Sequence, residues 1–91
     1  MICPRCQKEN QPVNDMDQHH CECGLWYDSK GGYVITLDRY LLECSSRLNG
    51  SWIHECVIRE GKTSYKLVLE INRALPFDIT DDRIDKLMLL K

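Results

Sequence analysis

From residue 33 onward the chain alternates. Tyr33, Ile35 and Leu37 are separated by Val34 and Thr36, so a strand over 33–37 carries its larger apolar groups on one side. Asp38-Arg39 interrupts the pattern. It resumes over 40–46, where Tyr40, Leu42 and Cys44 fall together. Beyond Asn49-Gly50, a strong hairpin signal, Trp52, His54, Cys56 and Ile58 share a side of a third segment, 52–59. Glu60-Gly61-Lys62 then turns the chain into a fourth, 64–71, with Tyr65, Leu67, Leu69 and Ile71 on one side and Lys66 and Glu70 on the other. These period-two segments predict an antiparallel sheet with one apolar face.

The pattern also predicts register. A two-residue loop at Gly61-Lys62 pairs Ile58 with Tyr65, Cys56 with Leu67, His54 with Leu69 and Trp52 with Ile71, apolar against apolar. A strict two-residue loop at Asn49-Gly50 would instead set Cys44 opposite Glu55 and mix the faces. A longer loop or a bulge aligns Cys44 with Cys56 and Leu42 with Ile58, and is preferred because the buried face stays continuous.

After Leu75-Pro76-Phe77 the period changes to that of a helix over 80–90. Thr80 is placed to cap it, Asp81 and Asp82 sit in the first turn, and Lys86 and Lys91 lie toward the end, each favoured by the helix dipole. Ile84, Leu87 and Met88 form its apolar stripe, extended by Leu89 and Leu90. An apolar sheet face needs a cover, so the helix is expected to lie across it. The expected fold class is small α+β, an N-terminal lobe of residues 1–32 joined to a sheet and helix of residues 33–91 in one compact unit.

The first 32 residues read differently. Their apolar side chains are few, chiefly Ile2, Val13 and Met16, but they hold Cys3-Pro4-Arg5-Cys6 and His20-Cys21-Glu22-Cys23-Gly24. Two close pairs of soft ligands separated by 14 residues are metal-site spacing. Zinc takes four ligands in a tetrahedron, and tight turns present thiolates while their amides stabilise the charge. The second half-site has one residue between its cysteines where two are usual. It reads either as Cys-x-Cys, giving Cys3, Cys6, Cys21 and Cys23, or as His-x-x-Cys, with His20 replacing Cys21. Thiolate preference favours the first. Gly24 suits a residue just past a tight turn, where φ is often positive. The plainer alternative is ordinary cysteines, buried and reduced or joined as disulfides.

Pattern and order, CPRC at 3–6 and CECG at 21–24, resemble the zinc ribbon, in which knuckles at the ends of two β-hairpins share one metal. The resemblance covers about the first third of the chain. It implies one structural Zn2+ and no single function, because zinc ribbons occur in nucleic-acid-binding proteins, polymerase-associated factors, enzymes and structural modules.

Size makes the metal matter. With 91 residues, neither part has a generous core, and a structural zinc contributes about 10 kcal/mol of folding energy in comparable small units. The chain shows no signal-peptide pattern and no apolar run long enough to span a bilayer. A cytoplasmic, reducing location is expected, where zinc thiolates persist.

Charge weighs on the choice of partner. Residues 1–32 carry three Lys/Arg against five Asp/Glu, and residues 33–91 balance nine against nine. Arg5, Lys8, His19, His20, Trp26 and Tyr27 are of the types that contact nucleic acid, but phosphate binding usually needs a concentrated basic face. Enzymatic activity finds less support. A catalytic zinc keeps an open position, whereas this site is filled by protein groups. His54 and Cys56 lie i and i+2 on one strand, roughly 6.5 Å apart, too far for a nucleophile and base. Cys44 and Cys56 therefore read as small core hydrophobes, and His54 as a half-buried, hydrogen-bonded residue. The sequence points to a non-enzymatic zinc-binding protein that docks on another protein, with Trp26, Tyr27 and Arg5 as candidate contacts. A nucleic-acid-binding accessory factor is the alternative. The sealing of the metal lobe onto the sheet by Trp26 and Tyr27 is the slightly favoured reading of the two, because a small lobe without other apolar cover needs such a seal, and Trp52 reads as core.

Overall fold

The computed structural model describes residues 1–74 and 79–89. Its strands are β1 (His19–His20), β2 (Trp26–Tyr27), β3 (Gly32–Thr36), β4 (Leu41–Asn49), β5 (Ser51–Glu60) and β6 (Thr63–Ile71), followed by helix α1 (Asp81–Leu89). All six strands form one antiparallel sheet in sequence order. The metal lobe therefore contributes its second hairpin to the same sheet as the rest of the chain. Leu75, Pro76, Phe77, Leu90 and Lys91, used in the sequence reading of the helix and its approach, lie outside the described residues.

Register follows the apolar pattern. Across β5 and β6, Ile58 faces Tyr65, Cys56 faces Leu67, His54 faces Leu69 and Trp52 faces Ile71. Across β4 and β5 the turn is the longer one, with Leu48 opposite Trp52, Cys44 opposite Cys56 and Leu42 opposite Ile58. Tyr33 and Ile35 of β3 join those rungs opposite Cys44 and Leu42. A one-residue slip would carry this whole row to the solvent face. Between β3 and β4, Asp38-Arg39 is a tight turn closed by the Leu37 amide donating to Tyr40 O at 2.8 Å. At the β2–β3 turn, the Asp28 carboxylate accepts from the Lys30 and Gly32 amides at 2.8 and 2.9 Å. Gly31 there has φ 93° and passes so close to the Ser46 backbone that a Cβ would collide with the carbonyl, which makes glycine obligatory.

The core lies between the sheet and α1. Ile35, Leu42, Ile58 and Ile84 are each no more than 3% exposed, and fully burying one aliphatic chain of this size contributes about 1.5–3 kcal/mol. Thr80 caps the helix as its sequence predicts, its Oγ1 accepting from the Arg83 amide at 3.2 Å. Leu87 and Met88 pack beside Ile84, but Leu89, expected to extend the stripe, is exposed at 84%. Its position in the last turn of α1 carries it off the packed face. Arg39 holds the helix from outside. Its amide donates to Asp81 at 2.9 Å, and its guanidinium reaches Asp85 at 2.9 Å and Glu60 at 2.7 Å. The Tyr40 hydroxyl also donates to Asp85, and that hydrogen bond pushes the phenol up to about 12.

Three sequence expectations for the core change. Trp52 is half-buried and stands outside the core cluster. Cys44 and Cys56 are buried, as expected, but they are joined as a disulfide rather than packed as separate thiols. Directly opposed cross-strand residues bring their Cα atoms to 4.1 Å, and same-face Cβ vectors then set the sulfurs against each other. His54 is fully rather than half buried. Its Nε2 lies 3.4 Å from the Arg73 carbonyl and its Nδ1 3.2 Å from the Tyr33 hydroxyl. A carbonyl only accepts, so Nε2 carries the proton and Nδ1 accepts from Tyr33. Burial lowers the His54 pKa and raises that of Tyr33, which keeps both groups neutral.

Candidate metal centre

Two backbone turns with matching connections build the cysteine cluster. In the first, the Gln7 amide donates to Cys3 O at 2.9 Å and the Cys3 amide donates to Lys8 O at 2.8 Å. In the second, the Gly24 amide donates to Cys21 O at 2.9 Å and the Cys21 amide donates to Leu25 O at 2.9 Å. The second turn does with one residue fewer what the first does with two between its cysteines. Shortening the closure from i+4 to i+3 absorbs the missing spacer. Each turn ends left-handed, Gln7 at φ 67° and Gly24 at φ 96°. Gln7 thus stands where the second turn has its glycine, a departure that nothing in the sequence signals.

The turns bring four sulfurs together. The Sγ atoms of Cys3, Cys6, Cys21 and Cys23 all lie within 4.8 Å of one another, with Cys3 to Cys23 at 3.7 Å and Cys6 to Cys21 at 3.0 Å. Tetrahedral zinc with Zn–S bonds of about 2.3 Å separates its sulfurs by about 3.8 Å, so the cluster has the dimensions of a single zinc site. Cys3 and Cys21 are buried, whereas Cys6 and Cys23 face out. Ile2, Val13 and Met16, the few apolar side chains before Cys21, are all more than half exposed. The buried apolar groups of the lobe, Leu25 and Tyr27, come from the sheet side, so the segment before Cys21 is organised around the sulfur cluster rather than around these three residues.

Proton affinities within the cluster are spread by the environment. Burial pushes the Cys3 thiol up to about 12, against hydrogen bonds from the Cys6 and Arg5 amides that favour its thiolate. The Cys23 amide and then the Cys6 thiol hold Cys21 down to about 6, while donation to Cys21 raises Cys6. The Cys21 thiolate is thus favoured by the groups that donate to it. A divalent cation would displace the remaining protons and replace shared protons as the link between sulfurs. Outside the cluster, Lys8 and Glu22 form an exposed ion pair between the two turns.

The other candidate residues separate. The His20 ring stacks on Trp26 at 4.1 Å with 4° between planes and is not in the four-sulfur group. Trp26 is 38% exposed, whereas Tyr27 is buried at 4%. Alternation along β2 gives one residue to each role weighed from the sequence: Tyr27 seals the lobe and Trp26 faces solvent. The Tyr27 hydroxyl donates to Met1 O at 2.7 Å and accepts from Asn10 Nδ2 at 3.2 Å, tying the first turn to the sheet. His19, buried on the same face, stacks on Tyr27 at 5.0 Å and has Asn10 O and Asp17 Oδ1 within 3.3 Å of its ring nitrogens. The sequence reading missed that structural role, which follows from His19 and Tyr27 being paired across β1 and β2. Arg5 donates its amide to Cys3 Sγ at 3.4 Å, supporting the cluster through its backbone.

Set against known proteins, the chain matches no family model and has no significant match among curated proteins or solved structures. The cluster itself carries the assignment. Four cysteines in two short turns form a zinc-ribbon-type motif compatible with a single structural zinc. The fold and residue pattern resemble a structural zinc-binding module more than a catalytic domain. Among the described residues no helix is long and apolar enough to cross a membrane.

Proposed function

We propose that the protein binds one zinc ion through Cys3, Cys6, Cys21 and Cys23 and acts, without catalysis, by docking on another protein as a regulator or accessory subunit. The observation that carries the docking role is Trp26. It is a large aromatic held outward at the foot of the second turn, with its ring fixed against His20. A pre-ordered exposed aromatic loses little entropy on binding and is the residue type that most often anchors an interface. The chain's −2 net charge favours a protein partner over a phosphate backbone. We place its work in a reducing cytoplasm, which preserves the four thiolates and would also open the Cys44–Cys56 bond.

Affinity capture with the intact protein, beside Trp26→Ala and a metal-site variant, tests this reading. It expects one stoichiometric protein partner with the wild type, lost with folded, zinc-loaded Trp26→Ala. Recovery of nucleic acid alone, with a gel shift that weakens steeply as salt rises, would replace it with the nucleic-acid alternative.

A further inference from the structure

Burial on the core face stops abruptly at β6. On one rung Ile35, Leu42 and Ile58 are no more than 3% exposed, yet Tyr65 beside them is only partly buried. On the next, Tyr33, Cys44 and Cys56 are buried and Leu67 is not fully so. Leu69 beside the fully buried His54 repeats the pattern, and Ile71 at the end of the strand is likewise only partly buried. Strand β6 is nine residues long and stands at the end of the sheet order, with no strand on its far side among the described residues. Long, apolar, uncovered edge strands are ready templates for another strand.

Backbone phase fixes which groups such a strand would meet. The 4.1 Å Cα separation of Cys44 and Cys56 marks a non-hydrogen-bonded pair, so Cys56 directs its amide and carbonyl toward β6. Leu67 opposite returns them. By alternation, Ser64, Lys66, Val68 and Glu70 point their N–H and C=O groups outward along the edge.

We propose that this edge pairs with a second copy of itself, β6 antiparallel to β6 about a two-fold axis through Val68, joining two sheets into one of twelve strands. This register sets Lys66 of each copy opposite Glu70 of the other, Leu67 opposite Leu69, and Tyr65 opposite Ile71. Both ion pairs fall on the exposed face and both apolar pairs extend the core face. The pairs Lys66–Glu70 and Val68–Val68 are also the ones whose outward backbone groups meet. Moving the axis to Leu67 or Leu69 leaves Lys66 and Glu70 without a charged residue opposite. Centring it on Lys66 or Glu70 sets like charges face to face, which is unfavourable. Charge, apolar pattern and backbone phase therefore select one register. Neither charge needs to be otherwise unengaged, and Glu70 keeps a 2.8 Å hydrogen bond from Ser51. The opposite edge, β1, is two residues long, so pairing closes as a dimer instead of propagating. This inference rests on the backbone edge of β6 and not on the docking role assigned to Trp26, which lies on the same sheet face as Lys66 but four strands away on β2.

The test is oligomeric state by light scattering and sedimentation, from micromolar to millimolar chain, with Lys66→Glu, Glu70→Lys and the double exchange. The proposal expects wild type at twice the 10.7 kDa chain mass at the upper concentrations. Each single variant should weaken dimerisation by about tenfold or more through paired like charges, and the double exchange should restore it. Hydrogen exchange of wild type provides a second reading that needs no variant. Amides of Ser64, Lys66, Val68 and Glu70 should gain protection with concentration while those of the rest of β6 do not change. A wild type that stays monomeric throughout overturns the proposal and leaves the edge to some other extended segment. A dimer that persists in folded single variants, or that leaves those four amides unprotected, overturns it as well.

Discussion

His20 lies flat against Trp26, ring centroids 4.1 Å apart and planes inclined by 4°. On the reading that Cys21 rather than His20 completes the site, the His20 ring supports Trp26 while the Cys21 sulfur, 3.0 Å from that of Cys6, holds the ion. His20→Ala should therefore leave zinc content unchanged. Cys21→Ser should lose the ion and unfold the lobe, because residues 1–24 have little else to hold them. Zinc content and far-ultraviolet circular dichroism of the two variants, side by side, check this. Metal loss in His20→Ala with retention in Cys21→Ser would reverse the assignment.

Gln7 supplies a second prediction. A left-handed non-glycine residue costs about 1–2 kcal/mol, part of which glycine recovers before its greater unfolded-state freedom is subtracted. Gln7→Gly should raise stability by about 0.5–1 kcal/mol, read from urea midpoints at saturating zinc. A loss of stability would mean that the Gln7 side chain contributes more than its backbone costs.

The six cysteines should titrate in two classes. Protein purified without reductant, denatured with chelator present, should show four reactive thiols, rising to six after reduction. Six from the start would mean that Cys44 and Cys56 remain thiols in the purified protein, as their reading from sequence alone had them.

His54 predicts a pH dependence. Its folded pKa lies below its ordinary value of 6.5 because burial disfavours the charged ring. The unfolded chain then binds the extra proton, so the stabilising contribution is present above 6.5 and is lost as pH falls toward the lower folded value. Protonation of metal thiolates acts in the same direction, so the informative quantity is the difference between wild type and His54→Gln at saturating zinc. Wild type should lose more stability than the variant between pH 7 and 5. Parallel pH profiles would contradict the neutral, doubly hydrogen-bonded His54.

The sheet was legible because apolar alternation and turn chemistry agree. Placing Leu42 opposite Ile58 and Ile58 opposite Tyr65 requires only that one face remain buried, and no competing register does so. The helix cap at Thr80 was equally local. What escaped depended on groups brought together from separate segments. Gln7 carries no side-chain signature of a left-handed turn, since its conformation is imposed by two backbone hydrogen bonds to the first knuckle. The joining of the first hairpins to the main sheet rests on strands of two residues, too short to show a period. Trp26 and Tyr27 could be assigned opposite roles only once their pairing with Val34 and Tyr33 fixed which face each takes.

The central claim is one zinc held by four sulfurs, and elemental analysis of protein purified under reducing conditions without added metal tests it most directly. The account predicts close to one zinc per chain, released on chelation together with loss of structure in the first 32 residues. A stoichiometry near zero in protein whose lobe is nonetheless folded would contradict it.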